Sequence, residues 1–202
     1  SDGTNLRNIY VSSPDGGLKA GVKSNLAANL WLYSKDFTQS VWTKINITPT
    51  SNTTLAPTSR HNDASTLTDT VDGSPVVHAI SQAPLYPQAA FTVDKAGIYG
   101  NEGLFYVSVY AKAGTLNWLM LSPDGFNHSA WFNLSTGTVG TVGPGLIAQI
   151  LSIGSGWYRC FVAMSDVSEG PAGIGISNAD ATAVYTGAGT GTVYIWGAQL
   201  EN

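Results

Sequence analysis

The stretch LFYVSVYAKA, residues 104–113, decides the fold class. Successive side chains of an extended chain point to opposite sides. Phe105, Val107, Val109 and Ala111 therefore share one face, and Tyr106, Ser108, Tyr110 and Lys112 share the other. The first set is uniformly apolar and the second mixes rings with polar groups, as in a strand that is buried on one side only. The two runs that follow repeat the pattern. NWLMLS (117–122) turns Leu119 and Leu121 inward and Trp118 and Met120 outward. SAWFNLS (129–135) turns Ala130, Phe132 and Leu134 inward and Trp131 and Asn133 outward.

Similar runs recur on both sides of this centre: LWLYS (30–34), TKINITP (43–49), STLTDTV (65–71), PVVHAISQ (75–82), AAFTVDK (89–95), GLIAQILSI (145–153), WYRCFVAMS (157–165), GIGIS (173–177) and TVYIWGAQL (192–200). Gly, Pro, Asn and Asp separate them, and the one candidate helical fragment is the short Ser24–Trp31. About a dozen short strands at this spacing predict an all-β fold, an antiparallel β-sandwich. We expect residues 27–202 to form the sandwich. Residues 1–26, with strand-like NIYV and the turn SPDGG, are too few for a core and read as an N-terminal extension or the end of a stalk.

Composition narrows function. Of 202 residues, 11% are charged, less than half the usual share, and the net charge is −4 with nine Lys plus Arg. The nine are scattered, so no basic stripe is available and nucleic-acid binding is not expected. No apolar run is long enough for a membrane-spanning helix, and no membrane insertion is expected. The single Cys160, in the apolar run WYRCFV, reads as a buried small hydrophobe. No nucleophile elbow, His/Cys metal spacing or phosphate loop occurs. Most acids, Asp36, Asp63, Asp72, Asp124, Asp166, Glu169 and Asp180 among them, fall in turns or at strand ends. No strand presents the facing carboxylate pair that a glycosidase uses. The loop TDTVDG (68–73) admits a structural Ca²⁺, but a plain Asp-Gly turn is the simpler reading, and no cofactor is expected.

Taken as neighbours, the three central strands would gather Tyr106, Tyr110, Trp118 and Trp131 with Lys112 and Asn133 on one outward face. Rings interleaved with amides and cations suit a sugar, whose C–H face stacks on an aromatic while its hydroxyls bond the rim. The candidate carbohydrate contacts are Tyr110, Lys112, Trp118, Trp131 and Asn133, with His78 and Arg159. Packing under a loop or against a subunit competes with sugar contact at each ring. His78 also reads as a hydrogen-bonded structural histidine, and Arg159 as a cation stacked on an indole. At the end of the chain, GTVYIWGAQLEN carries bulky groups on both faces, with Val193 and Ile195 on one side and Tyr194, Trp196 and Leu200 on the other.

Five blocks, NLWLYSKDFTQSVWTK (29–44), VSVYAKAG (107–114), FNLSTGTVGTV (132–142), GWYRC (156–160) and YTGAGTGTVYIWGAQLE (185–201), resemble in order a family of phage tail and tail-fibre domains. That resemblance covers residues 29–201 and implies a jelly roll similar to carbohydrate-binding modules. It further implies a fibre-tip location on the virion, attachment to bacterial surface polysaccharide without chemistry, and self-association as a homotrimer. A block shared across such domains also implies a scaffold role for Trp196. A polysaccharide depolymerase and a purely structural trimeric knob are the alternatives.

Overall fold

The computed structural model describes residues 8–12, 18–22, 29–57, 60–83, 105–164 and 170–201. Among these there is no helix; every regular element is a strand. The expected strand at 89–95 and residues 24–28 of the expected helical fragment lie outside the described residues, and residues 29–31 are not helical.

Strands β1 (Asn8–Ser12) and β2 (Leu18–Val22) pair antiparallel, and the expected SPDGG turn between them lies outside the described residues. The remaining strands are β3 (Thr43–Ile45), β4 (Ile47–Thr54), β5 (Ala64–Asp69), β6 (Ala79–Gln82) and β7 (Phe105–Ala113). They continue with β8 (Trp118–Ser122), β9 (Ala130–Asn133), β10 (Thr138–Val142), β11 (Leu146–Gly154), β12 (Trp157–Met164), β13 (Ala172–Ser177) and β14 (Thr192–Glu201). They form two antiparallel six-stranded sheets, ordered β10-β9-β8-β13-β6-β3 and β11-β12-β7-β14-β5-β4. The chain is a β-sandwich, as the alternation predicts.

One core lies between the sheets. The first sheet contributes Ile80, Leu119, Leu121, Phe132, Ile174 and Ile176, and the second contributes Leu67, Val107, Val109, Val162, Val193 and Ile195, all essentially without solvent exposure. The inward sets read from β7, β8 and β9 are the sets observed. TKINITP is two strands rather than one: Asn46, at φ 48°, turns the chain from the first sheet into the second. Asparagine tolerates this left-handed conformation better than most residues. The carbonyl of Asn46 accepts bonds from Thr70 N, Thr70 Oγ1 and His78 Nδ1 at 3.2, 3.1 and 2.7 Å, which hold the hinge in place.

Residues 30–34 do not form a strand. Leu30 and Trp31 are buried in succession, breaking the alternation, and the segment closes one end of the sandwich. Trp31 Nε1 donates to Gln82 O, and Trp42 packs edge-on against both Trp31 and Phe37 at centroid separations of 5.0 and 5.1 Å. β10 is a strand the alternation does not predict, since Gly140 and a register shift between Val139 and Val142 interrupt its apolar period.

β14 answers the puzzle of its two bulky faces. It pairs with β7 in register from Val193↔Ala113 to Trp196↔Tyr110, then shifts by one residue before Gln199↔Ser108. Gly197, at φ 60°, occupies the shift, the geometry of a bulge that needs glycine. Tyr194 and Trp196 thus lie outside, while the extra residue returns Ala198 and Leu200 to the core. Leu200 faces inward, a correction to the simple alternation. Beyond the bulge β14 no longer pairs with β5, and the N-terminal segment takes its free groups. Leu30 N donates to Leu200 O at 2.7 Å and Ala198 N to Ser34 O at 3.0 Å. The Asn29 amide accepts from Leu200 N and donates to Ala198 O.

Gly197→Ala tests this bulge. The left-handed φ costs a side-chain-bearing residue about 1–2 kcal/mol, and a Cβ here would stand 3.2 Å from Tyr110 Cδ2. The urea midpoint of the variant should fall accordingly, whereas Ala at exposed Gly73, where nothing lies within 4 Å, should leave it nearly unmoved.

Candidate functional site

The sandwich divides the candidate residues between its two outer surfaces. β7 belongs to one sheet and β8 and β9 to the other, so Tyr110 and Trp118 cannot share a face. The single aromatic face drawn from three neighbouring strands is corrected to two faces on opposite sides.

On the first sheet, Trp131 is 9% exposed, and its indole N–H has no partner. It stands across from buried Met120. Trp118 is half-buried and lies against Gly140 of β10, where the Asp180 carboxylate also accepts Thr141 N at 2.8 Å. The Asn133 side chain builds the β9–β10 turn: its Oδ1 accepts Ser135 N at 3.0 Å, Ser135 Oγ at 2.7 Å and Thr136 N at 3.2 Å. These three residues are held by packing and turn bonds.

His78 is fully buried. Nδ1 meets the Asn46 carbonyl, and Nε2 meets Asp72 Oδ2 at 3.2 Å and the Tyr185 carbonyl at 3.1 Å. The ring stacks on Tyr185 at 4.3 Å, and Tyr185 in turn donates its hydroxyl to Asp69 Oδ2. Asp69 and Asp72, the acids of the TDTVDG loop, are engaged by Gly191 N and by Gly187 N and Thr70 Oγ1 respectively. Among the described residues no three His, Cys, Asp or Glu side chains gather as a metal site. The cluster pins the 69–78 segment to the 185–191 segment.

The outer face of the second sheet brings Tyr110, Lys112 and Arg159 together. Register sets Trp157, Lys112 and Tyr194 side by side in one row and Arg159, Tyr110 and Trp196 in the next. Phe161, Ser108 and Gln199 form the third row, and Ala163, Tyr106 and Glu201 the fourth. Trp157 is buried with Ala56 and Ala64, and Tyr110, Tyr194 and Trp196 pack against them. Tyr110 meets Trp196 at 5.3 Å, the Arg159 guanidinium lies 4.4 Å over Tyr110, and Lys35 Nζ sits 4.9 Å over Trp196. These are cation–π contacts; Arg159 stacks on a phenol rather than on the indole of Trp157.

Arg159 also crosses to the bulge. Nη1 donates to the Gly197 carbonyl at 3.0 Å, and Nη2 donates to Ser108 Oγ and to Gln199 Oε1. Its charge is desolvated, which lowers its pKa. Beyond the aromatic rows the face opens into a shallow depression of about 260 Å³ lined by Tyr106, Ser108, Arg159, Phe161 and Glu201. Tyr106 is 37% exposed, and on edge strand β11 Ile147 and Leu151 are bare at 61% and 65%. Phe161, Glu201 and Ser108 were not among the candidates read from sequence. Phe161 shares a face with Arg159 by parity, but only the pairing of β12 with β7 sets it beside Ser108 and near Tyr106.

Cys160, between Arg159 and Phe161, points into the core, and burial raises its thiol pKa far above the ordinary range. Two aromatic rings, Tyr106 and Phe161, line the depression beside polar groups, and among the described residues Glu201 is its one carboxylate. Comparison with protein-family models and with curated proteins finds no match to this chain.

The Tyr185 network has a pH signature. Burial first, and then the neighbouring Asp69 carboxylate, raise the Tyr185 phenol above its ordinary 10.0. The folded chain thus holds this proton more tightly than the unfolded one, and stability present below pH 10 is lost as pH rises beyond it. Urea midpoints measured from about pH 9 to 12 should fall, and Tyr185→Phe should flatten that fall.

Proposed function

We propose that this chain is the receptor-binding domain of a phage tail fibre, which attaches to host-cell surface polysaccharide without cleaving it. The observation that carries the reading is the open depression between Tyr106 and Phe161, floored by Ser108 and flanked by Arg159 and Glu201. A sugar ring finds there an aromatic surface for its C–H face and donors and acceptors for its hydroxyls. The resemblance of five ordered blocks to tail-fibre domains is the ground for the phage assignment. The rigid sheet beneath supports binding without rearrangement, since the strands that carry these side chains are paired along both edges or anchored by the bulge.

A homotrimer at the fibre tip belongs to this reading. β11 is nine residues long, uncharged and at the edge of its sheet, with Ile147 and Leu151 exposed, and such an edge is a surface for a second copy to cover. Each site would bind weakly, and several sites acting together would supply the holding strength through effective concentration. The low charge of the chain suits a surface that works by stacking and hydrogen bonding in salt.

The test is adsorption of the purified protein to host cells, with extracted surface polysaccharide as competitor, glycan size followed by chromatography and oligomer mass by light scattering. Saturable adsorption, competed by polysaccharide that keeps its length, is expected. Tyr106→Ala and Phe161→Ala should each weaken it about three- to tenfold, the worth of one aromatic contact, with oligomer mass unchanged. Shortened glycan would make the protein a depolymerase. Failure of either variant to assemble, in place of failure to bind, would make this face a structural knob.

A further inference from the structure

We infer that the saccharide bound in this depression is anionic, carrying a carboxylate or phosphate group that seats against Arg159. The inference rests on the sugar-binding reading above and names the chemistry of its ligand.

The guanidinium of Arg159 is engaged but not neutralised. Its three bonds go to a backbone carbonyl, a hydroxyl and a side-chain amide, all uncharged acceptors. A guanidinium carries five N–H donors, so two are left over. Among the described residues the side-chain ion pairs are His78–Asp72 and His128–Asp124, and neither involves Arg159. Glu201 is the carboxylate whose field reaches Arg159, but among the described residues it makes no ion pair with it. A partly buried cation so weakly compensated is costly to keep, and an oxyanion that accepts the remaining donors would recover that cost. Burial lowers the pKa of this group, and the Glu201 carboxylate offsets only part of that effect.

The surroundings point the same way. The chain as a whole is acidic, at −4. Yet the described strands place Lys112 and Arg159 on this face against the single carboxylate Glu201, and Lys35 joins them over Trp196. Cations thus gather on the surface that carries this depression. A neutral sugar could hydrogen-bond Ser108 and Glu201 in the depression but would leave the Arg159 charge uncovered. Glu201, at the far side of the depression, sets polarity: the acidic group lies toward Arg159 and the hydroxyls toward Glu201. The planar fork of a guanidinium matches carboxylate and phosphate alike, so the class is the oxyanion they share.

The experiment uses the full chain on a panel of bacterial surface polysaccharides, acidic and neutral. Each acidic member is paired with its carboxyl-reduced or dephosphorylated form. Binding restricted to acidic members, weakened tenfold or more by reduction or by dephosphorylation and weakened by added salt, is the expected result; which treatment abolishes it identifies the group. Arg159→Gln should erase the preference for the acidic form. Because Arg159 also holds the bulge, Glu201→Gln is the second variant. It removes a like charge from a side chain on the rim of the depression, and should raise affinity for the acidic form about two- to fivefold relative to its neutral partner. Equal binding of treated and untreated glycans overturns the inference and leaves saccharide binding standing. Binding to no member of the panel overturns both.

Discussion

The one-residue bulge at Gly197 sets which side chains of β14 face solvent and which enter the core. β14 lies between β7 and β5 in the second sheet, and a regular strand there would carry Tyr194, Trp196 and Leu200 outward together. The extra residue separates them. The rings stay outside, where they pack with Tyr110 and Trp157, and Leu200 joins the core. The bulge also releases the backbone of β14 from β5, and buried backbone groups require partners. Asn29, Leu30 and Ser34 supply them, drawing the start of the domain onto its last strand. The same bulge turns the Gly197 carbonyl to Arg159. Closure of the fold and placement of the site's cation thus depend on one left-handed glycine.

A second constraint operates at the other end of the sandwich. Asn46 passes the chain from sheet to sheet, and its carbonyl is held by Thr70 and His78. His78 in turn gathers Asp72 and Tyr185, tying the β5–β6 connection to the segment that leads into β14. Polar side chains here replace ladder bonds that the turning backbone cannot make. Such a cluster is satisfied only when complete, because each buried member that loses a partner keeps its desolvation cost. This accounts for a histidine and two carboxylates in a chain that otherwise has little charge.

The sequence shows which side chains share a strand face, and the fold class follows. Val107, Val109, Leu119, Leu121 and Phe132 all lie inward as alternation requires. What alternation cannot supply is the sheet to which a strand belongs. β7 and β8 are consecutive but lie in opposite sheets, so Tyr110 and Trp118 face away from each other although their local patterns match. Parity fails wherever a residue is added, as at Gly197, or where an asparagine turns the backbone, as at Asn46. Asn133 illustrates a further limit. Its outward position was readable, but its use as the acceptor for the next turn depends on β10, whose period Gly140 interrupts. The depression itself depends on pairing: Tyr106, Phe161 and Glu201 come from three strands and meet only through the register of β12, β7 and β14.

The sugar-binding proposal draws on the way Arg159 is held in place. A lone long cation on an exposed strand samples many rotamers and loses that freedom on binding. Here the guanidinium is already fixed by Tyr110 beneath it and by Gly197, Ser108 and Gln199 around it. The ordering is therefore complete before a ligand arrives, and a bound group meets donors in set directions rather than a mobile charge. The aromatic rows beside it pack with Ala56 and Ala64, and the depression opens past them among β7, β12 and β14. A paired sheet, a fixed cation and a shallow depression are what the sugar-binding proposal requires of this face. Under the reading proposed above, such a face would distinguish glycans by where their charged substituent lies.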